Sequence, residues 1–210
     1  MIRSLHLREK TYRRLEGLSR IRGGYLSTKE LLTAGLTNRQ IAALTRENRL
    51  QKISHGVYYL EEEGMDKPSD HKALEMAMVN ERAVVCAQSA CWLHGLFRDE
   101  PERFTMATRR DDRHKMSLPF STTRHYFAVD SFELGVKTVD TPFGTYQIYD
   151  MERSLCDCIR FRRELTDARC EEIIENYKKS PKKDLDRLRT YAAALRVSRQ
   201  VDRMVFGKRS

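Results

Sequence analysis

Along residues 4–21 apolar side chains recur mostly at three- and four-residue steps, with Leu5, Leu7, Tyr12, Leu15, Leu18 and Ile21 standing among Arg, Lys and Glu. That period predicts an amphipathic helix, ended by Gly23-Gly24. "YLSTKELLTAG" follows as an apolar pair, a Ser/Thr cap, a short helix with Leu31, Leu32 and Ala34 facing inward, and Gly35 as its stop. The next helix has the best-marked start in the chain. Thr37 can cap its own first turn, Gln40 three residues on can reach back to the cap, and Leu36 before the cap can pack on Ile41. Ile41 and Leu44 then face inward, leaving Asn38, Arg39, Ala43, Arg46 and Glu47 mostly outward. In "LQKISHGVYYL" the pattern shortens to alternation about Ser54-His55-Gly56, the signal of a β-hairpin.

Helix, helix, turn, helix, hairpin is the order of a winged helix-turn-helix, expected over residues 1–62. "EEEGMDKPSD" is polar, contains Gly64 and Pro68, and reads as a linker, which puts the domain boundary near residues 61–68. Residues 69–210 form the second expected domain. Ser69 or Asp70 can cap a helix carrying Ala73, Leu74, Ala77 and Met78, and "AQSACWLHGLF" reads as a buried helix. The β-rich segments "RFTMATR", "HYFAV", "VKTVDTP" and "TYQIYD" come next. Three helical stretches close the chain, "MERSLCDCIRFRR", "DARCEEIIENYKKS" and, after a break at Pro181, "DLDRLRTYAAALRV". The expected class is α+β: a winged helix-turn-helix followed by a mixed α/β domain with its helices gathered at the C-terminal side.

Charge sharpens this picture. Residues 1–60 hold 12 Lys/Arg against 4 Asp/Glu, residues 178–210 hold 11 against 3, and the middle carries 16 against 23. Two basic ends flanking an acidic middle favour a polyanionic partner, because cationic side chains that neutralise phosphates release condensed counterions. Nucleic acid is the first candidate, and a winged helix-turn-helix makes it double-stranded DNA. The second helix of a helix-turn-helix enters the major groove with its N-terminal residues toward base edges. Here it begins at Thr37, so Asn38 can pair with adenine and Arg39 with guanine. Arg46, Arg49 and Lys52 fall where phosphate contacts are expected, and Ser54 and His55 form a short polar wing turn. Thr28 and Lys29 can offer a phosphate the amides of a helix N-terminus. Thr37 and Gln40 complete the expected DNA-binding set. The bland reading of the same domain is a protein-interaction module.

No apolar run reaches the roughly 18 residues of a membrane span, and the first residues lack the apolar core of a secretory signal. Five cysteines without small-domain disulfide spacing agree with a reducing cytoplasm. Neither a P-loop nor a spaced-glycine dinucleotide motif occurs. His94, next to Trp92 and Leu93, reads as a packed histidine. Cys156 and Cys158, two apart on one helix, point some 200° apart and read as core. Asp111-Asp112 beside Arg109, Arg110 and Arg113 read as a solvated loop and not as a Mg²⁺ site. No catalytic residue, metal or cofactor is expected.

With both halves placed, the sequence resembles the AbiEi family of antitoxins from bacterial type IV toxin-antitoxin (abortive infection) systems. "GGYLSTKELLTAGLTNRQIAALTRENRLQKISHGVYYL" is similar to the family's winged domain. "AQSACWLHGL", "TPFGTYQIYDMERSLCDCIR" and "KDLDRLRTYAAALRV" are similar to its C-terminal antitoxin domain. The resemblance implies repression of the chain's own operon through promoter repeats, and neutralisation of a separate nucleotidyltransferase-like toxin, with or without direct contact. It also implies a use on DNA for the basic tail, Lys178 to Arg209. Read as a helix, "MERSLCDCIR" puts Met151, Leu155, Cys158 and Ile159 on one apolar side, and Arg153 with Asp157 as a modest ion pair worth about 0.2–0.5 kcal/mol. Two rivals keep the DNA-binding half: a Mg²⁺-dependent nuclease targeted by the winged domain, and a repressor whose second domain senses a small ligand near Trp92 and Tyr146.

Overall fold

The computed structural model describes residues 9–62, 64 and 66–207. These residues make a mixed α+β structure with two β-sheets, divided into two compact units. The first unit takes the chain up to Asn80 together with 115–119 and 140–145; the second takes 81–114, 120–139 and the chain from 146 onward.

In the first unit α1 (Glu9–Arg22) buries Leu15, while Ile21 is 73% exposed. Ile21 lies about 120° from Leu15 around the helix axis, off the stripe that Tyr12 and Leu18 share with it. Leu5 and Leu7 of the expected helix lie outside the described residues. β1 (Tyr25–Ser27), expected only as an apolar pair, is a strand. It is followed by α2 (Thr28–Thr33), α3 (Asn38–Arg46), β2 (Leu50–Ser54) and β3 (Val57–Leu60). The sheet order is β1-β3-β2, antiparallel throughout, with a register shift between Lys52 and Ser54. Leu15, Leu26, Leu31, Leu36, Ile41, Leu44, Leu50 and Leu60 form the core under the helices. Each such burial is worth about 1.5–3 kcal/mol. Leu32, expected inward, is 42% exposed, because α2 turns Leu31 to the core and Leu32 about 100° away from it.

Helix α4 (His71–Val79) belongs to this unit, although the expected boundary at 61–68 placed it in the second domain. The reason is a buried polar anchor. The Glu75 carboxylate is fully buried, and its Oε1 accepts from the Tyr25 hydroxyl of β1 at 3.0 Å and from Lys67 Nζ at 2.6 Å. Lys67 also donates to Gln51 of β2 at 2.7 Å and lies 4.5 Å from the centre of the Tyr59 ring of β3. Ala73, Leu74, Glu75 and Met76 are buried, and Ala77 and Met78 only partly so. Asp70 holds the N-cap position without a side-chain cap hydrogen bond.

The second unit runs β4 (Val84–Val85), α5 (Ala87–Leu93), β5 (Phe104–Arg109), β6 (Thr122–Phe127), α6 (Val129–Phe132) and, apart from residues 140–145, β7 (Val136–Thr141) and β8 (Gly144–Tyr149). Then come α7 (Met151–Arg160), a 3₁₀ turn at Arg162–Glu164, α8 (Asp167–Lys179), α9 (Leu185–Ala194) and α10 (Ser198–Met204). Its sheet has the order β6-β5-β4-β8-β7, with β4 antiparallel to β5 and parallel to β8, and β5 parallel to β6. The two-residue β4 and the short α6 and α10 escaped the sequence reading, since each is too short to show a period.

Helix α7 is the spine of this unit: Met151 to Ile159 are all buried. Asp150 caps it, accepting from the Arg153 amide at 2.9 Å. The modest helix ion pair expected of Arg153 and Asp157 is a fully buried one, Nε to Oδ2 at 3.1 Å. Arg153 also donates to the carbonyls of Ser131 and Leu134, and its guanidinium lies 4.1 Å from the Tyr149 ring centre. Burial pushes the Asp157 carboxyl up to about 6 against the pull of Arg153. All five cysteines are free and buried, and Cys158 Sγ lies 3.5 Å from that of Cys91. His94 Nε2 is 2.7 Å from the Tyr149 carbonyl, and burial pushes its pKa below the usual value.

Candidate nucleic-acid interface

The geometry of residues 27–60 follows from two reciprocal caps. Ser27 accepts from the Glu30 amide at 3.1 Å while Glu30 takes the Ser27 amide at 2.8 Å, and this box starts α2. Burial alone would raise the Glu30 carboxyl, yet the Ser27 hydrogen bonds and the nearby Arg22 charge hold it below its usual range. Gly35 takes φ 105° between α2 and α3, a left-handed value that turns the chain sharply. Thr37 then accepts from the Gln40 amide at 3.2 Å and donates its own amide to Gln40 Oε1 at 2.9 Å. Leu36 and Ile41 are both buried in the shared core, as a staple requires.

These caps fix what α3 shows to solvent. Asn38 and Arg39 are exposed in its first turn, Ala42 is exposed one turn on, and Arg46 is exposed in the last turn. Among the described residues neither Arg39 nor Arg46 is ion-paired. Arg49 is partly buried after α3, with its amide donating to the Leu44 carbonyl at 2.9 Å. Lys52 is exposed on β2 opposite Tyr58, Ser54 is half-buried at the end of that strand, and His55 is exposed in the turn to β3. Gly56 makes that turn with φ 79°.

Three of the eleven expected contact residues serve the scaffold. Thr37 and Gln40 bind each other in the cap. The Thr28 amide donates to the Gly56 carbonyl at 2.8 Å, tying the start of α2 to the hairpin turn. That amide is therefore not open to a phosphate, as the sequence reading had it, whereas the Lys29 side chain is exposed. Sequence reasoning saw the Ser/Thr cap of α2 but missed its Glu30 partner, which "STKE" spells in the same pattern as the box on α3. It also missed the Thr28–Gly56 tie, which no local pattern encodes.

Residues 13–60 match the family model described as a transcriptional regulator, AbiEi antitoxin. Over this segment the chain is similar to the AbiEi antitoxin regulators. The matched AbiEi segment runs from α1 to the end of β3, and so holds α3, the hairpin and every residue of the expected contact set. No curated protein matches the sequence. Among solved structures, the chain is similar to the RV2827C protein from Mycobacterium tuberculosis, with 13% identity and a TM-score of 0.55 over 98% of this chain and 83% of that one. That is a likeness of fold.

Beyond the AbiEi segment, the second unit carries its own exposed cations. Lys182, Lys183, Arg187, Arg189, Arg199 and Arg203 line the segment from α9 to α10 and the turn before it, while Lys208 and Arg209 of the expected basic tail lie outside the described residues. Arg187 and Arg189 are already paired with Asp184 and Asp186 at 3.4 and 3.2 Å. The loop acids are paired too, Asp111 with Arg109 at 2.8 Å and Asp112 with Arg124 at 3.2 Å. Among the described residues no group of three or more His, Cys, Asp or Glu is placed to hold a metal ion, and no helix is long and apolar enough to cross a membrane.

Proposed function

We propose that this chain is a cytoplasmic antitoxin that also represses transcription of its own operon, with α2, the Gly35 turn, α3 and the β2–β3 hairpin working as a winged helix-turn-helix. On this reading the first compact unit carries the DNA-binding surface and the second the antitoxic one. The partners are double-stranded DNA, most directly repeats in the chain's own promoter, and a nucleotidyltransferase-like toxin encoded beside it.

The observation that carries the reading is the outer face of α3, where Asn38, Arg39 and Arg46 stand exposed on a helix whose start is pinned by the Thr37–Gln40 box. A helix held in one pose presents its donors to base edges and phosphates without paying ordering entropy on binding. The AbiEi match over the same residues supports it. Lys29, Arg49, Lys52, Ser54 and His55 flank the helix as backbone contacts, and Thr28, Thr37 and Gln40 hold the surface in place.

Replacing Arg39 and Arg46 together by Ala should weaken binding to the DNA directly upstream of the gene and lower the slope of log affinity against log salt by about 1–2. Unchanged affinity and slope would move the interface off α3. For the second unit, expression of the chain should restore growth to cells carrying the adjacent toxin. Growth arrest that persists at full antitoxin expression would remove the antitoxin half of the reading.

A further inference from the structure

On the outer face of α3 one exposed residue carries no hydrogen-bonding side chain, while Ala43, expected outward, is half-buried. Ala42 is exposed, one turn after Asn38 and one turn before Arg46, and the three stand with Arg39 within about 100° of one another around the axis. Gln40, the remaining amide of the helix, has its oxygen held by Thr37. The face therefore reads polar, methyl, cationic along one row, with its shortest side chain at the centre.

We infer that Ala42 is a specificity-determining residue, its methyl packing against the 5-methyl group of a thymine in the major groove. The inference rests on the reading of α3 as the groove-facing helix and deepens it. A short central side chain lets the helix backbone approach the groove floor, where longer residues at the same position would hold Asn38 and Arg39 away from base edges. Thymine is the base that presents a methyl group there, and Ala is a side chain that contacts it without competing for hydrogen bonds. Asn38 and Arg39 then read hydrogen-bonding edges at one end of the row while Arg46 holds the backbone at the other, and Ala42 adds a preference that neither can supply.

The test uses the purified full-length chain and a duplex it selects from a random-sequence pool. Each thymine of the protected core is replaced in turn by deoxyuridine, which removes one methyl and leaves base pairing intact. One such replacement should weaken binding about fourfold, the worth of one buried methyl group. Ala42→Gly should bind the thymine and deoxyuridine duplexes equally; its fold is checked by circular dichroism, since Gly inside a helix is destabilising. The deoxyuridine series on the unaltered chain needs no variant. Indifference to deoxyuridine at every thymine, a core that contains no thymine, or a folded Ala42→Gly that keeps the full preference overturns the assignment while leaving the DNA-binding reading intact. Selection of no sequence at all overturns that reading and this inference with it.

Discussion

Replacing Asp157 by Asn tests whether the buried ion pair on α7 stabilises the second unit or burdens it. Both partners are fully buried, joined by one hydrogen bond of 3.1 Å, and among the described residues Asp157 Oδ1 and Arg153 Nη2 have no hydrogen-bond partner. Burial raises the Asp157 pKa from 3.8 to about 6, with Arg153 pulling the other way. For an acid whose folded pKa lies above its unfolded one, the folded state binds the proton more tightly. Ionisation at pH 7 therefore costs folding roughly 3 kcal/mol, a cost relieved as pH falls through 6 toward 4. Asn keeps the shape and an oxygen to accept from Arg153 Nε. The guanidinium keeps the carbonyls of Ser131 and Leu134 and the Tyr149 ring. Asp157→Asn should accordingly gain about 1–3 kcal/mol at pH 7 and converge with the unaltered chain near pH 4. Arg153→Met should lose several kcal/mol at pH 7, because it strands a buried carboxylate. Urea unfolding followed by fluorescence isolates this unit, since Trp92 on α5 is the sole tryptophan. A loss of 2 kcal/mol or more in Asp157→Asn at pH 7 would show that attraction outweighs desolvation and refute the reasoning.

Two further outcomes test the first unit. Thr37→Ala removes the box that starts α3 and should cost about 1 kcal/mol of stability. It should also weaken DNA binding although Thr37 itself makes no predicted base contact; thermal melting by circular dichroism and a binding titration measure the two effects, and an unchanged melt would mean the box is not holding the helix. Lys67→Met leaves the buried Glu75 carboxylate with the Tyr25 hydroxyl as its remaining described donor, and should cost about 2–4 kcal/mol. Glu75→Gln, which keeps a hydrogen-bonding group there without the charge, should cost less, and the reverse order in urea titrations would count against the anchor.

The candidate interface was largely legible because its determinants are local. Capping boxes span four residues, a staple spans six, and a hairpin turn announces itself with Gly56, so α3 and its exposed Asn38, Arg39 and Arg46 could be placed from the chain alone. The Thr28–Gly56 bond could not, since it joins residues 28 positions apart that no pattern pairs. The same limit explains the boundary. A polar, Pro- and Gly-containing stretch reads as a linker from its composition, yet Lys67 within it reaches Gln51 and Glu75.

Period and punctuation in the sequence determined the helices other than α6 and α10, the strands longer than three residues and the two basic ends, because those depend on neighbours within a turn or a pleat. Tertiary structure alone decided that α4 joins the first unit, that β4 lies between β5 and β8, and that Arg153 and Asp157 are buried. A charged pair at i and i+4 has the same sequence whether water or protein surrounds it. What distinguishes the two cases is which distant segments cover it, and that is set by the packing of the whole unit.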